Sequence, residues 1–365
     1  MTMVTVAPEP LREYVGRLLV GVGTPDGIAA EVARHLVRSN LSGHDSHGVI
    51  RIPQYLEQME RGELHPGGRP EVIRETEVCA LIDAHRGFGH FSTLFGLDWA
   101  IERAPRYGIA SVSIRHSSHI GRVGEYTERA LEHGLLCMAT VGASGPGVGG
   151  MVLFGGTRRF FGANPWSMGA SGRPHRFLFD GSTSTVAEGK VRVAREKGVE
   201  LPLNCIQDRE GRPTRDPEAF YAGGALVPLG GEVAGHKGYG LAMASALFSA
   251  LAMIDDPEPT LIGASSVEPG NDPGRRVAGV WLLVVDPEVF GGRDAYRDLV
   301  EGYLDAALEV PPAAGRDVQL PGDFELRNRA ERGRSGIQLP DVTWRALSSA
   351  GERFGVPLPR VTFVG

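Results

Sequence analysis

The chain has 365 residues, of which 42% are hydrophobic, an ordinary proportion for a globular protein. Its formal net charge of −6 argues against nucleic acid as a partner. The 3 cysteines are scattered singly, which argues against a disulfide framework and fits a reducing compartment. Because no signal peptide or membrane-spanning run is evident, we expect a soluble, cytoplasmic protein without a membrane partner.

Helices and strands alternate along the first half of the chain. Thr24 and Pro25 predict the N-cap and first position of a helix that runs to about Ser39. The patterns that follow predict helices over 51–60, 94–107 and 124–133 and strands over 78–83, 109–114 and 135–141.

The middle of the chain is rich in glycine, and regular elements return after it. The sequence predicts a glycine-dense segment over 142–156, a strand over 177–179, a helix from Ser182 to about Lys197, a polar loop over 208–217, a buried apolar helix from Lys237 to Met253, a strand over 279–285, and helices over 293–308 and 341–354. The fold class is therefore mixed α/β. We expect a glycine-rich central domain, residues 129–275, inserted into a more helical α/β domain formed by residues 1–128 and 276–365.

Two polar segments carry the residues best suited to catalysis. In the first, His47, Arg51 and Tyr55 are spaced at i, i+4 and i+8, which places them on one helix face if Gly48 does not break the turn. The second places His119 before a glycine, where a strand would end. A guanidinium can bind a carboxylate and an imidazole can transfer a proton at neutral pH. Together they suit a small acid with a reactive carbon beside its carboxylate.

Two motifs point elsewhere. Residues 145–150 match GxGxxG after a predicted strand, but no helix follows and no acidic residue lies about 20 positions on, so we reject a Rossmann site. Two HxxH pairs, His44 with His47 and His116 with His119, could hold zinc. Their spacing does not match HExxH and no carboxylate or thiolate completes a set, so we predict no metal.

Two further segments could bind an anion or a ribose. Residues 235–240 (GHKGYG) are predicted to form a flexible loop before the apolar helix, with Lys237 as a point charge for phosphate. Asp180, Gly181 and Ser182 lie where a strand passes to a predicted helix, which offers hydroxyls and N–H groups.

The chain as a whole resembles the type-2 malate/L-lactate dehydrogenase family, which includes ureidoglycolate and sulfolactate dehydrogenases and a reductase of cyclic ketimine acids. The resemblance rests on seven segments in the family's order: SNLSGHDSHGVIRIPQY from Ser39, SVSIRHSSHIG from Ser111, GANPWSM from Gly162, FDGSTSTVAEGKV from Phe179, LGGEVAGHKGYGLAM from Leu229, VVDPEVF from Val284 and LPGDFELRNRAERGRSGIQLP from Leu320.

The resemblance implies a non-Rossmann nicotinamide-binding fold and a homodimer that uses NAD or NADP on a small carboxylic acid. His119 matches the family's catalytic histidine, and His47 and Arg51 match its substrate-binding pair, with Tyr55 one turn further. The positions that match its cofactor-binding residues are Ser144, Asp180, Gly181, Ser182, Lys237, Gly322 and Asp323. The inserted domain would then bind NAD(P), and the remainder would bind substrate and dimerise.

This sequence departs from the family around His119, where HSSHIG replaces a segment close to NSNHFG, and at DGSTS, GASGPGVGG and Asp323. We therefore expect dehydrogenase chemistry on a 2-hydroxy or 2-oxo acid, with the substrate left open. The alternatives are a reductase of a cyclic ketimine acid, a metalloenzyme built on the histidine pairs, and a ligand-binding protein without turnover.

Overall fold

The structure, a computed structural model, describes residues 3–256 and 277–364. The helices are α1 (Pro8–Gly21), α2 (Asp26–Leu41), α3 (Ile52–Glu60), α4 (Gly89–Tyr107), α5 (Gly124–Glu132), α6 (Glu188–Lys197), α7 (Pro217–Tyr221), α8 (Gly231–Ser249), α9 (Arg293–Leu308), α10 (Asp323–Ser335) and α11 (Asp341–Phe354). Short 3₁₀ turns lie at Asp45–His47, Val49–Arg51, Ala250–Met253 and Pro287–Phe290.

The strands are β1 (Met3–Val6), β2 (Glu71–Glu75), β3 (Cys79–Asp83), β4 (Ile109–Arg115), β5 (Leu136–Ser144), β6 (Met151–Val152), β7 (Arg159–Phe161), β8 (Trp166–Ser171), β9 (Arg176–Gly181), β10 (Ile206–Gln207), β11 (Pro213–Thr214), β12 (Ala225–Leu226), β13 (Val277–Val285), β14 (Ile337–Pro340) and β15 (Val361–Val364).

A 12-stranded mixed sheet forms the centre of the molecule, in the order β11-β10-β12-β6-β7-β5-β13-β4-β3-β2, with β8 joined to β5 and β9 to β8. β13 pairs antiparallel with β5 on one side and β4 on the other, while β3 runs parallel to β4. Helices α4, α5 and α8 pack on these strands. This burial explains why β13 reads as a nearly continuous apolar run.

A second core lies outside the large sheet. Helices α1, α2 and α11 pack with a three-stranded sheet, β14-β1-β15, around fully buried Leu18, Leu36 and Leu347. The large sheet contains strands from both sides of residues 128 and 276. The two-domain division therefore stays a prediction.

The mixed α/β class is confirmed, and α9 and α11 begin and end where the sequence predicts, whereas α10 between them was not predicted. The α2 prediction is shifted. Pro25, and not Thr24, occupies the N-cap, and the buried hydroxyl of Thr24 has no hydrogen-bond partner among the described residues.

The helix expected from Ser182 begins only at Glu188, so that prediction is wrong at its start. The hydroxyls of Ser182 and Ser184 lie 3.1 Å apart, and Ser184 donates to the carbonyl of Val186 at 2.7 Å. These local hydrogen bonds satisfy the polar groups in a loop and compete with helix formation. The polar loop over 208–217 also contains β11, which pairs with β10.

The prediction of a flexible loop at residues 235–240 is wrong because this segment is part of α8. Its glycines mark close contacts: a Cβ on Gly235 would lie 2.8 Å from the Phe154 ring, and one on Gly238 would lie 2.4 Å from the carbonyl oxygen of Leu229. The expected burial of this helix is also wrong, since Leu247 is 61% exposed. None of the helices in residues 3–256 and 277–364 is long and apolar enough to cross a bilayer.

The loop that matches GxGxxG does not open a helix. Gly145, Gly147 and Gly149 all have positive φ, and the loop runs directly into strand β6. The local structure thus agrees with the observation that no helix follows this motif, and the non-Rossmann nicotinamide-binding fold stays a prediction.

Buried Glu128 joins four elements of the fold. Its carboxylate contacts Arg122 at 2.9 Å, Arg38 of α2 at 3.1 Å and Arg329 of α10 at 2.5 Å, and it also contacts Arg176 of β9. Although burial opposes ionisation, the hydrogen bond from Arg329 and the other arginines lower the pKa of Glu128 to about 2. The carboxylate is therefore charged at neutral pH and holds these elements together.

We predict that Glu128→Gln lowers the free energy of unfolding by about 3–5 kcal/mol, because it leaves buried arginine charge without its partner. Urea denaturation at neutral pH measures this change. The matched control is Glu132→Gln on the same helix, whose side chain is 57% exposed and lies 3.6 Å from Arg38. We expect the control to cost about 1 kcal/mol or less. Equal losses in the two variants would contradict a special role for Glu128.

Candidate active site

The segment that carries His47 and Arg51 forms two short 3₁₀ turns on either side of Gly48, whose extended backbone (φ −91°, ψ −155°) interrupts the helix. A Cβ on Gly48 would lie 2.2 Å from Oδ1 of Asn40, so no larger residue fits beside that side chain. The condition under which the three catalytic candidates would share one helix face, an unbroken turn at Gly48, is therefore not met, although tertiary packing still brings them together.

His119 lies in the loop between β4 and α5, and this loop is fixed from both sides. The hydroxyl of Ser118 accepts a backbone N–H at the start of α4 at 2.9 Å. On the other side, His35 Nε2 of α2 accepts the backbone N–H of Arg122 at 3.0 Å. A Cβ on Gly121 (φ +72°) would lie 2.4 Å from that Nε2, so the close approach requires glycine. The position of His119 is thus set by two helices.

The ring of His119 is surrounded by other aromatic groups. The hydroxyl of Tyr55 lies 2.7 Å from Nδ1 of His119 and 3.4 Å from Nε2 of His90. The His47 ring stacks on it at a centroid distance of 5.6 Å and an interplanar angle of 19°, and His90 meets its edge at 5.8 Å. Because Nδ1 is held by Tyr55, Nε2 is the ring nitrogen left for a ligand.

This environment keeps the imidazoles neutral. Burial, together with the charge of Arg51 and the neighbouring His47 and His90, lowers the pKa of His119 well below its usual value. Burial and Arg51 also lower the pKa of His47 to about 3, and burial alone lowers the pKa of His90 to about 3. Each imidazole is therefore a free base at neutral pH until a negative charge enters the site.

Arg51 is the positive charge of the site. Its Nε donates to the carbonyl of Ser46 at 2.6 Å, and its Nη1 donates to Oε1 of Gln54 at 2.8 Å. In residues 3–256 and 277–364, no carboxylate lies within ion-pair distance of Arg51, and Nη2 has no hydrogen-bond partner. The guanidinium is oriented by its neighbours and has N–H groups left for an anion.

These groups meet in a cavity of about 210 Å³, which we call the His119 cavity; it is lined by His47, Arg51 and His119 and by a largely apolar wall. The apolar wall is formed by Ile120, Val141, Ala143, Val148, Pro165 and Val280. Tyr55 is fully buried behind His119. The structure therefore brings together His47, Arg51, Tyr55 and His119, and it can bind a small anion beside a proton-transfer group.

The seven positions expected to bind cofactor lie outside the His119 cavity. Five of them are neighbours, because the N–H of Leu178 in β9 donates to the carbonyl of Pro321 at 3.0 Å. This contact joins the strand that ends in Asp180 and Gly181, followed by Ser182, to the turn at Gly322 and Asp323. Ala163 lines the cavity and accepts the backbone N–H of Thr183 at 3.1 Å. These five positions, which we call the Asp180 cluster, therefore border the cavity wall.

Asp180 is buried between charged and polar groups. Its Oδ2 accepts the backbone N–H of Gly124 at 2.9 Å and lies 3.5 Å from Nη1 of Arg122. Burial raises the pKa of Asp180, and the Arg122 charge opposes that shift. Asp323 uses Oδ2 to accept the N–H of Leu320 at 2.9 Å, which stabilises the turn at Gly322.

The two remaining cofactor positions differ in exposure. Ser144 ends β5 and is only 2% exposed, whereas Lys237 lies exposed on α8. Leu229 packs against the glycine that follows Lys237 and donates its N–H to the carbonyl of Thr183 at 2.8 Å. Through Gly238, Leu229 and Thr183, Lys237 is thus connected along the fold to the Asp180 cluster. Ser144 is buried and is not open to a ligand.

The histidine pairs are not gathered at one point. Nε2 of His44 lies 2.7 Å from Glu325, and the two ring nitrogens of His116 lie 2.9 Å from Asp83 and 3.0 Å from Asp256. The arrangement expected for a metalloenzyme built on these pairs is therefore wrong. Within the described residues, a group with possible ligand spacing is instead His175, Glu301 and Asp305, none of which lines the His119 cavity.

Sequence reasoning missed two residues beside the reacting groups. His90 contacts Tyr55 and His119 from the first turn of α4, and Gln54 holds Arg51. Gln54 has a local signal, since it stands three positions after Arg51. His90 has none, because its contacts are set by the tertiary packing of α4 against α3 and the β4–α5 loop.

A family model described as malate/L-lactate dehydrogenase matches residues 6–348. Hydroxycarboxylate dehydrogenase B of Escherichia coli K12 is 31% identical over 354 residues, covering 96% of this chain and 94% of the relative. The solved sulfolactate dehydrogenase of Methanocaldococcus jannaschii superposes with a TM-score of 0.85 at 28% identity, covering 97% and 98% of the two chains. The Δ1-piperideine-2-carboxylate reductase of Pseudomonas syringae pvar. tomato gives a TM-score of 0.76 at 28% identity, covering 95% and 99%.

Four histidines with lowered pKa values predict acid sensitivity. The folded protein lowers the pKa of His35, His47, His90 and His119, so below about pH 6.5 the unfolded chain binds protons that the folded chain does not. The free energy of unfolding should therefore fall as the pH is lowered from 6.5 to 5, with a slope of up to about 1.4 kcal/mol per pH unit for each histidine.

Urea denaturation between pH 5 and 8 measures this slope. We expect His90→Gln to reduce it by about one histidine's share, and His236→Gln, at an exposed position of α8, serves as the matched control. A stability that does not change between pH 5 and 7 would contradict the neutral, buried state of these rings.

Proposed function

The chain belongs to the malate/L-lactate dehydrogenase family and is an oxidoreductase, and we propose that it transfers a hydride between a nicotinamide cofactor and the α-carbon of a small 2-hydroxy or 2-oxo acid. The observation that carries this proposal is the meeting of Arg51, His47 and His119 in one cavity. A fork of N–H donors and a proton-transfer group are what a 2-oxo acid needs on its carboxylate and on its neighbouring oxygen.

Arg51 binds the substrate carboxylate with the N–H groups that Ser46 and Gln54 leave free. Two contacts already fix the guanidinium plane, so less conformational entropy is lost when the acid binds. His47 and His119, with Tyr55 buried behind His119, orient the α-carbon substituents of the bound acid.

His119 exchanges the proton with the substrate oxygen through Nε2. In the free enzyme its lowered pKa makes it a base, which suits the oxidation of a hydroxy acid. A bound carboxylate neutralises Arg51 and adds a negative charge nearby, so both changes favour the protonated ring that reduction requires. Tyr55 holds Nδ1 at 2.7 Å and thereby directs Nε2 to the substrate in both directions.

The proposed cofactor, NAD or NADP, fits the residues beside the cavity without a Rossmann glycine loop. Gly322 (φ +107°) lies in a turn where an added Cβ would be 3.1 Å from the Cβ of Leu178. The position therefore favours glycine, and no side chain of this residue covers the backbone of the turn. Lys237 is exposed and offers a charge for a diphosphate, and Ser182 offers a hydroxyl. When bound, the nicotinamide supplies or accepts the hydride.

A second candidate is a reductase of a cyclic ketimine acid, favoured by the similarity to a Δ1-piperideine-2-carboxylate reductase. Such a substrate also has one carboxylate and a reducible carbon beside it, so Arg51 and His119 would act in the same roles. Reduction of Δ1-piperideine-2-carboxylate, compared with that of 2-oxo acids under the same conditions, decides between the two.

Some expectations stay predictions. These are the homodimer, the cytoplasmic location and the assignment of residues 129–275 to a cofactor domain. Sedimentation equilibrium decides the first, and it requires only the purified protein.

We predict that His119→Ala lowers kcat by about 10²–10⁴-fold, because the reacting oxygen loses its proton donor and acceptor. Cofactor affinity should change little, since His119 lies outside the Asp180 cluster. Steady-state kinetics and quenching of protein fluorescence by NADH and NADPH measure the two quantities.

The matched variant is His47→Ala, which removes the ring stacked on His119. If His119 transfers the proton, the His47 variant keeps the larger kcat of the two. A greater loss of kcat in the His47 variant, together with a preserved rate in His119→Ala, would assign proton transfer to His47 instead.

We predict that Arg51→Lys raises KM for the acid by about 10²-fold and lowers kcat less, because an ammonium cannot reproduce a two-point contact with the carboxylate. The expected factor corresponds to about 2.7 kcal/mol, within the range for a lost charge-assisted hydrogen bond. Steady-state kinetics at saturating cofactor measure the split. An unchanged KM would show that Arg51 does not bind the carboxylate.

A further inference from the structure

The charges around the His119 cavity limit the kind of acid that it accepts. In the described part of the chain, Arg51 is the one arginine or lysine among the lining residues. One guanidinium binds one carboxylate. A second acidic group on the substrate would need a second cation or a set of free hydrogen-bond donors.

His116 is the obvious candidate for a second cation, because it lines the cavity and carries a ring. Both of its nitrogens are engaged, however, with Nδ1 lying 2.9 Å from Asp83 and Nε2 lying 3.0 Å from Asp256. Asp83 also accepts from Arg115 Nε at 2.9 Å. The carboxylates at both ends of the ring therefore occupy the N–H groups that a substrate anion would need.

Three of the neutral polar side chains of the lining are engaged in the same way. The fourth, Gln54, accepts from Arg51 through Oε1 at 2.8 Å, so its amide N–H groups lie beside that guanidinium, at the site proposed for the first carboxylate. Asn164 accepts the N–H of Ala143 at 3.1 Å and donates to the carbonyl of Ala242 at 3.0 Å. Ser118 accepts the N–H at the start of α4 at 2.9 Å, and Ser117 lies 3.2 Å from the hydroxyl of Ser92. Asn164, Ser117 and Ser118 therefore build the wall and have little hydrogen-bonding capacity left for a ligand.

Apolar side chains form the rest of the wall, among them Val141, Val148 and Val280. Val148 and Val280 are almost completely buried. A substrate side chain that contacts this surface binds more tightly if it is apolar and less tightly if it is charged, because desolvating an unpaired carboxylate costs free energy.

We propose that the substrate is a monocarboxylic acid with an uncharged, largely apolar remainder, and that dicarboxylic and sulfonated acids are poor substrates. This inference rests on the proposed function, since it takes Arg51 as the group that binds the carboxylate. By this inference, the chain differs in substrate from relatives whose names refer to malate or sulfolactate.

The test compares acids that differ in one terminal group. Oxidation of 2-hydroxybutanoate is measured against malate, and reduction of 2-oxopentanoate against 2-oxoglutarate, each with NAD(H) and NADP(H). We expect kcat/KM to be at least about 10²-fold higher for the uncharged member of each pair, because the acidic member buries an unpaired charge. Equal or higher kcat/KM for the acidic members would overturn the proposal and leave the dehydrogenase assignment standing.

A pair of variants tests the cause. The Ala278 side chain lines the cavity and is partly exposed. Ala278→Lys supplies the missing cation and should shift the ratio toward the acidic substrates by at least about tenfold, a change that corresponds to a single new ion pair. Ala278→Gln, of similar length without charge, should not shift it. Equal shifts in both variants would contradict the charge argument.

Calorimetric titration separates this inference from the proposed function, because it needs no turnover. Binding of 2-hydroxybutanoate without binding of malate supports the inference even if neither acid is oxidised. A failure to oxidise either acid would then count against the dehydrogenase assignment alone. Preference for malate overturns the inference. Binding of neither acid, in the wild type and in Arg51→Ala alike, would overturn both.

Discussion

The carboxylate of Glu128 is the interaction on which the rest of the structure depends. It contacts arginines from α2, from the residue two positions before α5, from β9 and from α10. Those elements lead, respectively, to the Asn40–Arg51 segment, the loop of His119, Asp180 and the turn at Gly322. A single buried charge therefore sets the relative positions of the substrate-binding and proposed cofactor-binding segments.

Desolvation gives the candidate site its chemical character. His119 is enclosed by Tyr55, His47 and His90, and the nearest permanent charge is positive. This environment disfavours protonation of the His119 ring. Under the proposed function, an acid bound to Arg51 raises the proton affinity of His119, so substrate binding and protonation would be coupled through electrostatics over a few ångströms. No mobile element is required for that coupling.

Much of the fold could be predicted because local signals agree with the tertiary structure. Helix α11 has its acidic first residue and a glycine directly after its last, and its bounds follow from the sequence. The glycines of α8 misled the prediction because glycine is used there for close contact with Phe154 and Leu229, and not for flexibility. Ser182 misled it because a hydroxyl can stabilise a loop as well as a helix start.

The candidate site was predictable to the extent that its residues lie in short segments. Arg51 and His47 are near each other in sequence, and His119 was found from its own loop, but no pattern relates either segment to His90. Contacts of that kind follow from the packing of α4 and α3, which only the folded chain shows. The engagement of His116 by Asp83 and Asp256 also lay beyond sequence reasoning, and it leaves neither ring nitrogen of His116 for a ligand in the cavity.

The pairing of β13 with β5 has a mechanical consequence. Nine successive residue pairs, from Val277 with Ser144 to Val285 with Leu136, join a strand near the end of the chain to one near its middle. A hinge along this seam would have to break a ladder of backbone hydrogen bonds, so the two strands move as a rigid body. Val141 and Val280 of these strands line the His119 cavity, so that part of its wall keeps its shape, and under the proposed function access for the acid depends on the side chains and loops at the rim.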